Sequence, residues 1–447
     1  MTHKDKAMRH TYEHPLLSVF LSIVFFLIPA CRCDRQAEEN KAESSKPAEA
    51  PAIDDTLAQQ LNALGYVSGT TPAGPQKGVT VYNKALAQDG YNFFTSGHAP
   101  AAFLMDMEGR MLHEWRADFD ALWPNHPRAP EGGIGDKQNF WRHAQLLPNG
   151  DVLGIWQHYG IFKLNKDSKV LWAKPGLAHH DLAVADDGKI YHLSSEHEPM
   201  PEIELIRGVL DVIVIRDPNG EELRRLSMGK ALQQADWTKL RRDFWDRERS
   251  RKHGVADGAK HDPFHTNSIW ILSQEEASRL GHPFRAGNLL VSMCVLDTIA
   301  TIDFDRGTTT WWQTGPFGLQ HQPRVTHDGK IIVFNNHLTA QTSSVQIIDP
   351  HSGKVTWEYT GPESAPLASR TSSGVEVLEN GNILITETNR GRVLEITPKE
   401  EVVWEFHNPF NTRGAQALIG HLYNIDRVDR SLLSWLPAIG SKEASAD

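Results

Sequence analysis

"LENGNILITETNRGRVLEITPKEEVVWEF", residues 378 to 406, reads as an Asn-Gly turn, an apolar strand, a second turn at Asn389 to Gly391, another strand, and a last strand closed by Trp404. Runs of four to eight β-branched and apolar residues punctuated by Gly turns are antiparallel strands joined by hairpins. The same phrase returns along the chain. It is found in "LPNGDVLGIWQHYGIFKLNKDSKVLW", "ADDGKIYHL", "FRAGNLLVSMCVLDTIATIDFDRGTTTWW" and "THDGKIIVFNN", the last continuing to "SVQIIDPHSGKVTWEY". An opening unit ends in "FLMDMEGRMLHEW", so six repeats are present. Their turn glycines are Gly150, Gly188, Gly287, Gly329 and Gly381. Multi-strand repeats of about 40 to 50 residues are the blades of a propeller. The expected fold is therefore all-β, a six-bladed β-propeller over residues 78 to 430.

The chain of 447 residues is long enough for such a core, with 40% hydrophobic and 23% charged residues. A formal charge of −10 argues against nucleic acid as partner, because phosphate binding needs a basic face. Residues 1 to 30 differ from the rest. Lys4, Lys6 and Arg9 precede the apolar run Leu16 to Ala30, which suits a signal h-region and falls short of the ~20 residues of a membrane span. The run ends in "IPAC", which resembles a lipobox with Cys31 as the lipid-bearing residue; a plain secretory signal or an uncleaved anchor is the alternative. In each case the body is exported, as a periplasmic or cell-surface lipoprotein where Cys31 is lipidated. Residues 31 to 53 carry almost no large apolar side chain and read as a disordered tether. Residues 54 to 77 hold a short amphipathic helix, with Leu57, Leu61 and Leu64 at helical spacing, and a linker. A partly helical insertion is expected from about Pro199 to Asp262, and residues 431 to 447 form a tail. Only Cys294 of the three cysteines lies in the body, which leaves no internal disulfide framework.

Within "GPFGLQHQPRVTHDGKIIVFNN", residues 315 to 336, His321 stands between two glutamines just before a strand. A propeller converges its inner strands on one axis, so histidines at matching points of successive repeats become neighbours. Three repeats carry them: His179 and His180 in "LAHHDLAVADDGK", His265 in "PFHTNSIWIL", and His321. Asp181 follows the doublet, where a carboxylate can fix an imidazole tautomer. Asn267 lies two residues beyond His265 and points the same way on an extended chain.

The blade phrase with its terminal Trp, "HHD" at 179 to 181, "HTNSI" at 265 to 269 and "GLQHQP" with "DGKIIVFNN" up to residue 336 together resemble the bacterial arylsulfotransferases, over about Val79 to Phe406. The resemblance implies an exported six-bladed enzyme that moves a sulfuryl group from an aryl sulfate donor to a phenol, without nucleotide or other cofactor. It implies a covalent sulfohistidine at His321, supporting roles for His265 and Asn267, and an upstream His at 179 or 180. One departure stands out. Where the family's strand after His-x-Asn usually ends in Ser-x-Arg, this chain reads Ser292, Met293, Cys294.

Physical chemistry suits these assignments. Charge spreads over three equatorial oxygens during sulfuryl transfer, so catalysis consists of positioning plus preorganised donors. Clustered imidazoles discourage one another's protonation, which keeps His321 neutral while a neighbour protonates the departing phenolate. Asn267 is expected to donate its amide to a sulfuryl oxygen, and Arg324 or Arg370 to replace the Arg missing at Cys294. Without such a replacement activity falls ~100-fold or more. No P-loop, dinucleotide fingerprint or hydrolytic sulfatase signature occurs. The reading from another class is a non-catalytic propeller lipoprotein that binds a ligand or protein; imidazoles holding a divalent metal are a third.

Overall fold

A computed structural model describes residues 68–125, 139–200, 205–233, 262–336, 342–412 and 417–436. The expected signal segment, Cys31 anchor, tether and Leu57–Leu64 helix lie outside the described residues, as do the insertion's charged stretch after residue 233 and the end of the tail.

Six antiparallel sheets form the blades. Blade I is β2 (Tyr91–Ser96), β3 (Ala101–Met105) and β4 (Met111–Arg116), with β25 (Leu422–Val428) as its inner strand. Blade II runs outward through β5 (His143–Leu146), β6 (Val152–Trp156), β7 (Gly160–Leu164) and β8 (Val170–Pro175). Blade III is β9 (Ala178–Val184), β10 (Ile190–Met200), β11 (Leu205–Arg216) and β12 (Glu222–Ser227). Blade IV is β13 (Thr266–Ile271), β14 (Leu289–Met293), β15 (Thr298–Asp303) and β16 (Thr308–Thr314). Blade V is β17 (His321–Val325), β18 (Ile331–Asn335), β19 (Ser344–Ile348) and β20 (Val355–Tyr359). Blade VI is β21 (Gly374–Val377), β22 (Ile383–Glu387), β23 (Arg392–Ile396) and β24 (Val402–His407), with β1 (Gly78–Tyr82) added outside as a fifth strand. The C-terminal strand thus completes the first blade, and the N-terminal strand extends the last.

Middle strands such as β14, β18 and β22 are buried along their whole length, because each sheet is covered on both faces by its neighbours. That is why they read as continuous apolar runs. Outer strands such as β8 and β20 are partly exposed.

The recurring Trp is an inter-blade latch. Its indole N–H reaches an oxygen in a turn of the next blade: Trp115 to Gly150 O at 3.0 Å, Trp172 to Pro218 O at 3.1 Å, Trp311 to Pro350 O at 3.0 Å, Trp357 to Glu400 Oε1 at 2.9 Å and Trp404 to Met107 O at 2.9 Å. The last bond joins blade VI to blade I. In blade III, β12 has no Trp; Arg224 lies 4.9 Å from the Phe304 ring centroid and pairs with Asp305 at 2.5 Å, serving the same contact.

Residues 205–227 of the stretch expected to be an insertion are the outer strands of blade III. Their paired ladder between β11 and β12 was hidden because "ELRRLS" is an exposed outer strand that lacks the continuous apolar run of a buried one. Part of the expected tail is also structured: Leu433 is buried, and Trp435 and Leu436 pack on the blade I and II core.

Inner strands carry bulges that turn side chains out of the ladder. Between β9 and β10 the register skips His180 and Asp181; between β13 and β14 it skips Asn267; between β17 and β18 it skips Gln322 and Pro323. His180, His265 and Gln322 have positive φ of 53°, 45° and 46°. Such backbone is costly for residues with a Cβ, and a bulge re-aims the side chains around it. Pro323 is tolerated in β17 because a bulged residue needs no ladder donor.

Candidate active site

His321 opens β17 and is 7% exposed. Its Nδ1 lies 2.9 Å from Leu319 O and 2.8 Å from Asn336 Oδ1. The Asn336 amide cannot be turned round, because its Nδ2 donates to Ser369 O and Ser372 O, both at 2.8 Å. Two acceptors at Nδ1 require a proton there, which leaves Nε2 with the lone pair. Burial, assisted by the positive charges of Arg142 and His265 and opposed by the bond to Asn336, pushes the His321 pKa down to about 3. The ring is a neutral imidazole of fixed tautomer, with its lone pair on Nε2.

His265, just ahead of β13, is the electrostatic opposite. Its Nδ1 is 2.6 Å from Asp262 Oδ2, and its backbone N–H donates to Asp262 Oδ1 at 2.9 Å. Burial lowers its pKa, yet the Asp262 carboxylate outweighs burial and the net shift is upward. With Nδ1 committed to Asp262, Nε2–H is the proton it can give.

Of the doublet, His180 is the member beside His265, with ring centroids 4.8 Å apart at 77°. Its backbone N–H donates to Gln157 Oε1 at 3.0 Å. Its Nδ1 faces His179 Nδ1 at 2.9 Å, so one ring donates to the other and only Nε2 of His180 is left for chemistry. Burial and the charges of His265 and Arg142 hold His180 well below the usual imidazole range. His179 instead directs Nε2 toward Asp211 Oδ1 at 3.3 Å. Asp211 in turn accepts Thr266 N–H at 2.5 Å and so ties β11 to β13.

Several expected roles change. Asp181 does not fix its neighbours' tautomer: it accepts Leu182 N–H and Ile269 N–H, and lies 3.4 Å from His143 Nε2 on blade II. Asn267 donates its amide to Gln320 O at 2.9 Å, an oxygen that Ser292 Oγ also contacts, so it braces the residue before His321 rather than reaching out to an oxyanion. Cys294 is buried in the apolar cluster with Phe264, Leu296 and Leu319, and its N–H reaches His265 O at 3.3 Å. Arg324 stacks on Trp270, 4.3 Å from the ring centroid, and Nη1 donates to Pro323 O. Arg370 is exposed. Neither replaces an arginine at position 294, because neither guanidinium joins the imidazole cluster.

Sequence reading missed Arg142. It sits just ahead of β5, 5% exposed, its Cζ 4.1 Å from the Tyr423 ring centroid and Nη2 donating to Ser372 Oγ at 3.0 Å. A signal existed: Arg142 precedes Gly150, His180 precedes Gly188, His321 precedes Gly329 and Ser373 precedes Gly381 by the same eight residues. Arg142 occupies the histidine slot of blade II. Asp211 and Asp262, which govern His179 and His265, carried no such mark.

A separate cavity of about 500 Å³ is lined by Thr71, Gln76, Arg390, Arg392, Glu405 and His407 among others. Its arginines face partners within it or beside it, Arg392 at 2.8 Å from Glu405 and Arg390 at 3.3 Å from Glu387. The chemistry-bearing cluster is therefore the axial one. Among the described residues no three His, Cys, Asp or Glu side chains converge as a metal site.

A six-bladed propeller whose inner strands gather imidazoles and one guanidinium at its centre defines a class of axial-site proteins. The arylsulfotransferase (ASST) family model matches residues 143–409, more than half of the chain, and the chain belongs to that family. No curated protein matches it. Among solved structures it is similar to a protein of unknown function from Bacteroides caccae, 12% identical over 76% of this chain and 98% of that one, TM-score 0.47. It is also similar to virginiamycin B lyase from Staphylococcus aureus, 13% identical over 60% and 69%, TM-score 0.36, and to the WD40 β-propeller domain of Doa1, 13% over 82% and 98%, TM-score 0.41. These weak likenesses bear on neither activity nor ligand.

Proposed function

We propose that the protein is an exported aryl-sulfate sulfotransferase that works in two steps through His321. In the first step His321 Nε2 attacks the sulfur of an aryl sulfate, the N–S bond forms, and the S–O bond to the aryl group breaks. His265 Nε2–H passes its proton to the departing phenolate. The sulfonated ring gains positive charge, which the two oxygens at Nδ1, Leu319 O and Asn336 Oδ1, are placed to stabilise. In the second step an acceptor phenol returns a proton to His265, its oxygen attacks sulfur, and the N–S pair returns to His321. Donor and acceptor use one pocket in turn.

The observation that carries this reading is the enforced tautomer of His321 within the electrostatic reach of a carboxylate-paired His265. Family membership supports sulfuryl transfer as the chemistry. Export rests on the signal-like residues 1 to 30, and membrane attachment on Cys31. The test is transfer from an aryl sulfate to a phenol with purified protein: ping-pong kinetics are expected, and activity is lost in His321→Ala. Undiminished transfer by that variant refutes the proposal. The binding-module reading drew on Cys294, and the buried thiol there does leave that position without a cation.

A further inference from the structure

We propose that Arg142 is the anion-binding residue of the site, gripping the sulfonate of the bound aryl sulfate from blade II in place of an arginine at position 294. The proposal rests on the sulfotransferase reading and extends it to how the substrate's charge is recognised. A sulfate ester carries a full negative charge into a buried site, and without a matched cation that transfer is expensive. A guanidinium fork suits the trigonal face of a sulfonate better than any neutral donor.

The geometry places Arg142 within reach of that work. Its Nη2 bonds Ser372 Oγ, the Ser372 carbonyl accepts from Asn336 Nδ2, and Asn336 Oδ1 holds His321 Nδ1. Arg142 and the nucleophile therefore share a two-residue brace. The guanidinium lies over Tyr423, whose ring is stacked on Phe140 at 5.5 Å and 15° and meets His421 edge-on at 5.9 Å, so its plane is held rather than free to swing. Its charge is felt by His180, His265 and His321, the rings gathered at the site. It also holds the repeat position of His180 and His321.

The test measures binding of 4-methylbenzenesulfonate, an unreactive aryl sulfonate, and of phenol to the folded full chain, alongside turnover. In Arg142→Gln the affinity for the sulfonate should fall ~30-fold or more while phenol binding changes less than ~3-fold, and kcat/KM for an aryl sulfate should fall ~100-fold or more. Arg142→Lys should recover part of the sulfonate affinity and little of the rate. Should Arg142→Gln fail to fold, Ser372→Ala, which removes only the Nη2 anchor, should weaken the sulfonate several-fold and leave phenol unaffected. Equal sulfonate affinity in wild type and a folded Arg142→Gln overturns the proposal, as does equal loss of both ligands. Sulfonate binding that depends on Arg142 in a protein forming no adduct with aryl sulfates upholds the anion site and refutes the sulfotransferase reading instead.

Discussion

Replacing Asp262 by Asn should disable proton delivery while leaving the nucleophile intact. The carboxylate sits 2.6 Å from His265 Nδ1 and overcomes the burial that otherwise lowers the ring's pKa. The amide can still accept a hydrogen bond but supplies no charge, so burial is no longer outweighed by Asp262 and the protonated form of His265 becomes scarcer. A positioned general acid contributes about 10²- to 10⁴-fold. The loss should depend on the leaving group. Phenyl sulfate releases a phenolate whose conjugate acid has a pKa near ~10, and its kcat/KM should fall ~100-fold or more in Asp262→Asn. A nitrophenyl sulfate releases a stabilised phenolate that needs little protonation, and should lose less than about 5-fold. In the wild type, the rate with phenyl sulfate should fall as pH rises through the raised pKa of His265, because the protonated form is consumed; the nitrophenyl ester should be nearly flat there. Steady-state rates for the ester series across pH read both effects. Equal losses for the two esters, or no loss for either, would refute the assignment of His265 as the acid.

Three further outcomes follow from burial and bonding. His158, His192 and His321 have pKa values pushed down to about 3, by burial first, and His180 is also well depressed, whereas unfolded imidazoles protonate near 6.5. The unfolded chain therefore binds more protons as pH drops below 6.5, and denaturant stability should fall by about 1–2 kcal/mol at pH 5 for each of His158, His192 and His321, with His180 acting in the same direction and His265 only partly offsetting the loss; unchanged stability contradicts this. Glu376 is raised to about 8 by burial and by Asp426, so its contribution is lost as pH rises from 4.5 through 8, and Glu376→Gln should stabilise the fold clearly at pH 9 and little at pH 5 in urea melts; equal effects at both pH values contradict this. Trp404→Phe removes the bond to Met107 O that joins the last blade to the first and should cost ~2 kcal/mol; an unchanged midpoint shows that the latch is ornamental.

The blades were legible because propeller strands are covered on both faces, which makes runs such as Leu289–Met293 and Ile331–Asn335 continuous and sets them between Gly turns. Outer strand β12 was not legible, since exposure removes that signature, and closure by β25 depends on pairing Leu422 to Val428 with Tyr91 to Ser96, more than three hundred residues upstream. His321 was legible from its repeat position, and Asn336 stood in the motif beside it. What could not be read is which partner each polar group takes. Asn267 is spent on Gln320 O, Asp181 on backbone amides, and Arg324 on Trp270, while Arg142, whose charge acts on His321, stands in the histidine slot as a different residue type. Repeat position is a property of the local chain; hydrogen-bond partnership across blades is a property of the closed ring.

The most direct test is intact-mass and peptide analysis of the protein quenched during exposure to an aryl sulfate without acceptor. The wild type should gain one SO3 unit on the peptide holding His321, discharged on adding a phenol, and His321→Ala should gain none. A wild type that turns over without any adduct, or an adduct that persists in His321→Ala, contradicts transfer through this imidazole.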